Sequence, residues 1–201
     1  IGKGAKEVMI KKHEALHQSE EVEIISKFKT YVANSPINIK GKISITPYYV
    51  SHSAFDAYMF KIEIEGKTIL HTGDFRAHGY TGHVLERVLR YYVKQVDILI
   101  TEGTMLSRDE EQTKTESEIQ SIMGDLMAKY KYVFVLCSST NFDRLAGLHK
   151  ANARFKGRPF VCDVYQNKQF KTLTNYSGKH SDLYVINDAI EMSLRKVNLH
   201  K

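Results

Sequence analysis

The chain of 201 residues is long enough for one large or two small domains with a hydrophobic core. Apolar residues make up 42% and charged residues 26%, as in soluble globular proteins, and no run approaches the ~20 apolar residues of a membrane span. The formal charge of +6 favours an anionic partner, although the basic residues are spread along the chain. Cys137 and Cys162 lack metal-ligand spacing and the N-terminus lacks a secretory signal, so we expect a reduced, cytoplasmic protein with no membrane partner.

The first part of the chain predicts a helix followed by a strand. Residues 4–18 have a modest apolar stripe at helical spacing, with lysines on the other face. His13 and His17 share a face of this helix, but without a third ligand we interpret them as solvated histidines. Residues 43–50 are strand-like, and Pro47 predicts an edge or a bulge because it has no N–H for a ladder bond.

Residues 51–79 predict a β-hairpin that connects two loops. Apolar and polar residues alternate over Tyr58–Ile64, which is typical of a half-buried strand. The turn at Gly66 returns the chain antiparallel as a second strand over residues 67–72. The hairpin therefore brings His52 and Asp74 to one edge of a sheet, where an imidazole and a carboxylate suit zinc or manganese.

The next segment predicts a helix over residues 84–92 and a strand over residues 96–101. The strand VDILIT is continuously apolar, so we expect it to be buried on both faces. Glu102 follows its carboxyl end, where active-site groups of α/β sheets collect, although a glutamate in this place is also an ordinary loop or capping residue. Residues 107–112 are polar and predict a hinge between two domains.

The remainder of the chain predicts alternating helices and parallel strands. Thr115 and Glu118 form a capping box at the start of a helix that runs to about Tyr130. Strands are expected near residues 132–137, 159–163 and 183–186. Residues 138–141, between a strand and a helix, fit an anion site and equally fit simple N-capping of the helix by Thr140 or Asn141.

Three motifs resemble those of a known family. SHSAFDA at 51–57 and HTGDFRAHG at 71–79 resemble the third and fourth metal motifs of the metallo-β-lactamase superfamily. The GDFR form, with TEGT at 101–104, more narrowly resembles the β-CASP nucleases of the ribonuclease J type. The resemblance runs from about residue 1 to 165. It implies an α/β fold, with a partial metallo-β-lactamase αββα half at 1–106 and a partial β-CASP α/β domain with a parallel sheet at 107–201.

The resemblance also implies a metal-dependent hydrolase with two zinc ions, or manganese in their place. His52 would bind one metal ion, Asp74 would bridge both, and Asp74 and Glu102 would be the catalytic carboxylates. The residues expected to contact the nucleic-acid backbone are Ser139, Thr140, Asn141 and Arg144. Where the family has SNxHR, this chain has TNFDR, so Asp143 occupies the place of the family's histidine, and we expect it to repel phosphate there.

The family's HxHxDH motif and its late histidine are both unmatched. We therefore expect an internal fragment of a phosphodiesterase for RNA or single-stranded DNA that is inactive by itself. A homo-oligomer is left open. We expect nucleic-acid binding to be weak and salt-dependent, because the sequence shows no aromatic stacking strip. The alternatives are a metallo-β-lactamase-fold hydrolase of thioesters or lactones and a non-catalytic nucleic-acid-binding module.

Overall fold

The computed structural model describes residues 1–106, 113–155, 158–162 and 164–177. It confirms the predicted α/β fold class, since a five-stranded mixed sheet is combined with layers of helices. The elements are α1 (Lys3–Ala15), α2 (Ser19–Ser26), β1 (Ile37–Ile39), β2 (Ile43–Tyr49), β3 (Tyr58–Ile64), β4 (Lys67–His71), a 3₁₀ turn (Gly82–Val84), α3 (Leu85–Val88), a π-helical turn (Leu89–Val93), β5 (Ile98–Ile100), α4 (Glu116–Lys129), α5 (Phe142–Asn152) and α6 (Val164–Ser177).

The strands follow chain order across the sheet, β1-β2-β3-β4-β5. The first four are antiparallel, and β5 is parallel to β4. Glu65 and Gly66 have φ angles of 50° and 72°, so the two-residue turn has the positive φ at both positions that a type I′ hairpin requires. The predicted hairpin is confirmed, with β4 ending at His71.

Pro47 lies where one side of β2 is open. In the described sheet, β1 pairs only with Ile43–Ile45 of β2, so Pro47 is beyond the end of that ladder. Its carbonyl accepts a hydrogen bond from the Asn34 N–H at 2.8 Å. The predicted edge position of Pro47 is therefore confirmed, because no partner strand there requires its missing N–H.

One apolar core lies between the sheet and the helical segment that contains α3. Its buried residues are Tyr48, Val50, Met59, Leu70 and Val93. A second core joins the helices, with Phe142, Leu145, Ala146 and Phe170 at its centre and Val8 and Phe55 against it. Residues of α1 and of the 51–57 loop therefore pack against α5 and α6, so the two halves of the chain share an apolar core.

The expectation that residues 96–101 are buried on both faces is wrong. Ile98, Leu99 and Ile100 of β5 are 48%, 58% and 48% exposed. In the described part of the chain β5 pairs only with β4, as the last strand of the sheet. An apolar run predicts an extended strand, but its burial depends on what covers its two faces.

The parallel strands predicted after residue 115 are not formed in the described residues. Residues 132–137 and 158–162 have no strand pairing, and Phe134 and Leu136 are almost fully exposed. The apolar composition of these two segments correctly predicts that they are not helical. It does not determine whether they pair with a neighbouring strand, because strand pairing depends on the tertiary fold. The predicted strand at 183–186 and the predicted hinge at 107–112 lie outside the described residues, so the division at residue 106 stays a prediction.

The helices predicted over residues 4–18 and after Thr115 are confirmed. Residues 4–18 correspond to α1, and the structure shows the predicted capping box of α4. The Thr115 hydroxyl accepts the Glu118 N–H at 3.2 Å, and a Glu118 carboxylate oxygen accepts the Thr115 N–H at 2.7 Å. Within the described residues, no helix is long and apolar enough to cross a bilayer.

We expect Thr115→Ala to lower the free energy of unfolding by about 1 kcal/mol, because the first turn of α4 loses a cap for its free N–H groups. Thr115→Ser keeps the hydroxyl and should stay close to wild type. Urea denaturation followed by circular dichroism measures both. Equal losses in the two variants would show that the methyl group of Thr115, and not its hydroxyl, stabilises α4.

We also expect a pH-dependent stability that comes from His149. This ring is 4% exposed and packs edge-to-face on Phe160, and desolvation lowers its pKa below the ordinary value of 6.5. The unfolded chain therefore binds the proton more readily. The stabilising contribution is complete above about pH 6.5 and is lost as the pH falls through the lowered pKa.

His149→Gln should therefore show a smaller loss of stability between pH 7 and pH 5 than the wild type, on the order of tenths to one kcal/mol. The exposed His17→Gln variant should retain the wild-type slope. Thermal melts at several pH values measure both slopes. Identical slopes in the wild type and His149→Gln would contradict a role for this ring.

Candidate functional site

Three loops meet at the end of the sheet where β4 and β5 finish. The Arg76 N–H donates to the Ser51 carbonyl at 2.8 Å, which ties the loop carrying His52 to the loop carrying Asp74. The Thr72 N–H donates to the Ile100 carbonyl at 2.9 Å and extends the pairing of the two strands. The hairpin therefore has the predicted effect of bringing both loops to the same edge of the sheet.

Glu102 is attached to the loop that carries Asp74. Its Oε1 accepts the Phe75 N–H at 2.8 Å, and its Oε2 accepts the Thr104 hydroxyl. The bond from the Phe75 N–H is the largest cause that holds the pKa of the Glu102 carboxyl below its usual range, and the bond from the Thr104 hydroxyl is the next. The nearby charge of His52 lowers this pKa further. Glu102 is thus an ionised acceptor that positions the backbone next to Asp74.

His52 and Asp74 keep donor atoms for a ligand. Nδ1 of His52 faces the Ala54 N–H at 3.2 Å, which leaves Nε2 as the ring nitrogen for a metal ion or a proton. Asp74 is exposed to solvent beside the ordered Phe75 backbone. The structure thus places the three sequence-predicted residues His52, Asp74 and Glu102 on neighbouring loops, and their roles stay predictions.

These residues do not complete a metal site in the described part of the chain. A catalytic zinc has about three protein ligands and an open position. Across the described ranges, no group of three or more His, Cys, Asp or Glu side chains is arranged to hold a metal ion. His52 and Asp74 would provide two ligands, so the described residues fit part of a site.

A buried cluster of charges lies behind the Asp74 loop. Arg76 forms ion pairs with Glu116 at 3.1 Å and with Asp143 at 2.8 Å. The Glu116 carboxylate also accepts two hydrogen bonds from Arg144, at 2.8 and 3.2 Å. The side chains of Glu116 and Asp143 are only 1% and 3% exposed, so both carboxylates depend on these arginines for compensation.

This cluster corrects the expected setting of Asp143. The sequence predicts that Asp143 repels a phosphate, but the structure buries this carboxylate and pairs it with Arg76. Its carboxylate also accepts the Tyr80 N–H at 3.3 Å. Arg76 lies in the GDFR motif and Glu116 in the first turn after the predicted cap. Sequence reasoning missed both because charged residues in such places are usually exposed.

Backbone hydrogen bonds reinforce the attachment of this loop to α4 and α5. The Glu116 N–H donates to the His78 carbonyl at 2.9 Å, and the Phe142 N–H donates to the Ser53 carbonyl at 3.3 Å. Burial lowers the pKa of the His78 imidazole, and the nearby positive charge of Arg76 lowers it further. The His52 and Asp74 loops are therefore both fixed to helices of the second half of the chain.

The 138–141 loop is occupied by internal contacts. Asn141 is the N-cap of α5 and accepts the Arg144 N–H at 3.3 Å, as one of the two readings of this loop predicted. The Ser138 and Thr140 hydroxyls bond each other at 3.0 Å, and Ser139 is half-buried beside them. Contact of Ser139, Thr140, Asn141 and Arg144 with nucleic acid stays a prediction.

We expect Arg76→Met to lower the free energy of unfolding by about 3 kcal/mol, because the buried carboxylates of Glu116 and Asp143 would both lose their ion pair with Arg76. Arg90 is the matched control, since its pair with Glu86 is exposed at the surface. Arg90→Met should change stability by less than about 1 kcal/mol. Guanidinium denaturation of both variants measures the difference.

A double-mutant cycle isolates the pair itself. Arg76→Met should destabilise an Asp143→Asn background less than it destabilises the wild type, because the remaining side chain is neutral. Equal losses in both backgrounds would show that the pair with Asp143 contributes nothing, and that Arg76 stabilises the loop through its pair with Glu116 or through packing.

Comparison with known proteins gives a likeness of fold. No protein-family model and no curated protein matches the chain. Among solved structures, a chain described as a protein of unknown function from Enterococcus faecalis V583 is similar, with a TM-score of 0.60 and 20% sequence identity. The similarity covers 76% of this chain and 36% of the other, so this chain spans about a third of that structure's length. At this identity, the likeness shows a shared fold alone.

Proposed function

We propose that this chain is part of a metal-dependent phosphodiesterase for RNA or single-stranded DNA, of the ribonuclease J type. The observation that supports the proposal is the meeting of His52, Asp74 and Glu102 on three connected loops at one edge of the sheet. Histidine and carboxylate donors at such an edge are suited to zinc or manganese. The resemblance of the motifs that contain these residues supports the same reaction class.

Each of the three residues has a distinct part in the proposed site. A metal ion held by His52 and Asp74 would activate a water and neutralise negative charge at the phosphorus oxygens. His52 offers Nε2 and Asp74 offers its exposed carboxylate as ligands. Glu102 acts through the backbone, because it holds the Phe75 N–H and with it the position of Asp74.

The charge of the chain supports a nucleic-acid substrate. Its formal charge of +6 attracts a polyanion, and contacts to a phosphate backbone carry no sequence information. In the proposal, Ser139, Thr140, Asn141 and Arg144 provide such contacts at the start of α5. The proposed compartment is the cytoplasm, where the two cysteines stay reduced. The proposal is compatible with a homo-oligomer.

Two observations favour a second candidate, a non-catalytic nucleic-acid-binding module. The described residues offer two of the three ligands that a catalytic zinc needs, and Asp143 replaces the family's histidine with a buried ion pair. The module would keep the +6 charge without hydrolysis. In both proposals the isolated chain is inert, and they differ in whether His52 and Asp74 bind a metal ion.

A metal titration distinguishes the two candidates. If the chain is part of a metal enzyme, the chelator-washed chain should bind one zinc or manganese ion weakly, because two ligands replace few of the ion's waters. The binding should disappear in both His52→Gln and Asp74→Ala. It should persist in Asp125→Ala, which removes an exposed carboxylate from α4. Calorimetry with zinc and electron paramagnetic resonance with manganese measure it.

The outcomes are separable. Metal binding that survives both substitutions, or its absence, would reject the ligand role and favour the binding module. We expect no hydrolysis of a labelled single-stranded RNA by the chain alone. Two tightly bound ions, with hydrolysis that is lost in Asp74→Ala, would instead show that this chain carries a complete phosphodiesterase site.

A further inference from the structure

A surface groove of about 590 Å³ lies along the helical segment that follows the Asp74 loop. Its lining is basic and aromatic, and consists of His83, Glu86, Arg87, Arg90, Tyr91 and Tyr92. The two tyrosines are 62% and 50% exposed, so their rings are accessible to a ligand. Both arginines are also exposed, and Glu86 is the single acidic group of the lining.

The sequence pattern explains why these side chains share a surface. His83, Arg87 and Tyr91 are spaced by four residues along consecutive helical turns, so they lie on one face. The opposite face carries Leu85 and Val88, which pack against the core beneath the sheet. The burial of that face therefore turns the basic and aromatic residues outward.

A π-helical turn shapes the end of the groove. The Lys94 N–H donates to the Leu89 carbonyl at 2.8 Å, and Lys94 has a φ of 62°. Such turns insert an extra residue into a helix and are frequent at functional sites. Tyr92 is held in place from behind, since its ring packs 6.2 Å from the ring of Tyr48 and its carbonyl faces the Tyr48 hydroxyl at 3.5 Å.

We propose that this groove binds nucleotides of a single-stranded nucleic acid, with a base stacked on Tyr91 and phosphates beside Arg87 and Arg90. Exposed aromatic rings next to cationic groups are the combination that single-strand binders use. The pairing of Arg90 with Glu86 at 2.7 Å reduces the positive charge of the groove, so electrostatic attraction alone is modest. A ligand with both a phosphate and a flat ring uses the whole lining.

The groove also changes the expectation that the chain has no aromatic stacking strip. In the sequence, Tyr91 and Tyr92 are only two adjacent aromatic residues, but the fold places three basic side chains beside them in the groove. This inference goes beyond the proposed function, because a nucleotide bound here needs neither His52 nor Asp74. A single-stranded nucleic acid would keep its contact with the groove even if the chain has no hydrolytic role.

The test is a fluorescence anisotropy titration of a labelled ten-nucleotide oligouridylate and of the matching oligothymidylate. Tyr91→Ala should weaken binding about fivefold or more, as expected for the loss of one stacked base, and Tyr91→Phe should restore it. Tyr132→Ala is the matched aromatic control, because Tyr132 is 71% exposed and also has a lysine against its ring. It should bind within about twofold of wild type, which corresponds to a negligible free-energy change.

Charge is tested in parallel. Arg87→Ala should weaken binding and reduce its salt dependence by about one phosphate contact, while Lys12→Ala on the exposed face of α1 removes the same charge without effect on binding. An abasic strand of equal length should not distinguish Tyr91→Ala from wild type. A loss of affinity that is equal in Arg87→Ala and Lys12→Ala, or wild-type affinity in Tyr91→Ala, would overturn the proposal.

The same titration separates this site from the candidate metal site. Tyr91→Ala and Arg87→Ala should lose affinity for the oligonucleotide to the same extent with and without added zinc, and both should bind zinc as the wild type does. If their loss of affinity appears only when zinc is present, the strand is held at the sheet edge and the groove proposal is wrong. If Tyr91→Ala weakens oligonucleotide binding while the wild type binds no metal ion, the groove stands and the phosphodiesterase proposal fails.

Discussion

The buried charges of Arg76, Glu116 and Asp143 are the constraint on which the arrangement of the two halves depends. A carboxylate taken out of water is costly unless a cation compensates it at short range. Arg76 meets both carboxylates at 3.1 and 2.8 Å, and these come from the first turns of α4 and α5. The loop after β4 therefore has one favourable position relative to both helices.

The candidate site inherits its geometry from this anchored loop. Arg76 bonds the Ser51 carbonyl through its own N–H, and Phe75 bonds Glu102 in the same way. Asp74 directly precedes these two backbone donors, so its position is set from both neighbouring loops. The side chain itself is left exposed. A rigid backbone with a free carboxylate is the arrangement that a ligand site requires.

The apolar segments show that a local sequence pattern does not by itself predict burial. Residues 96–101 and 132–137 have the composition of buried parallel strands, yet Leu99 is 58% exposed and Phe134 is 96% exposed. The capping box of α4 was predicted with its partners because its donors and acceptors are three residues apart. Burial has no such local cause, since it depends on which other segments cover a face.

The sequence by itself determined the elements whose causes are local: the hairpin turn at Glu65–Gly66, the helix start at Thr115, and the placement of His52 and Asp74 at the two ends of one hairpin. The tertiary structure alone decided which charged groups are buried and which apolar groups are exposed. It paired Asp143 with Arg76 and gathered Arg87 and Tyr91 around one groove. The physical reason is that hydrogen bonds within a turn are set by spacing along the chain, whereas desolvation and charge compensation depend on residues that are distant in sequence and close in space.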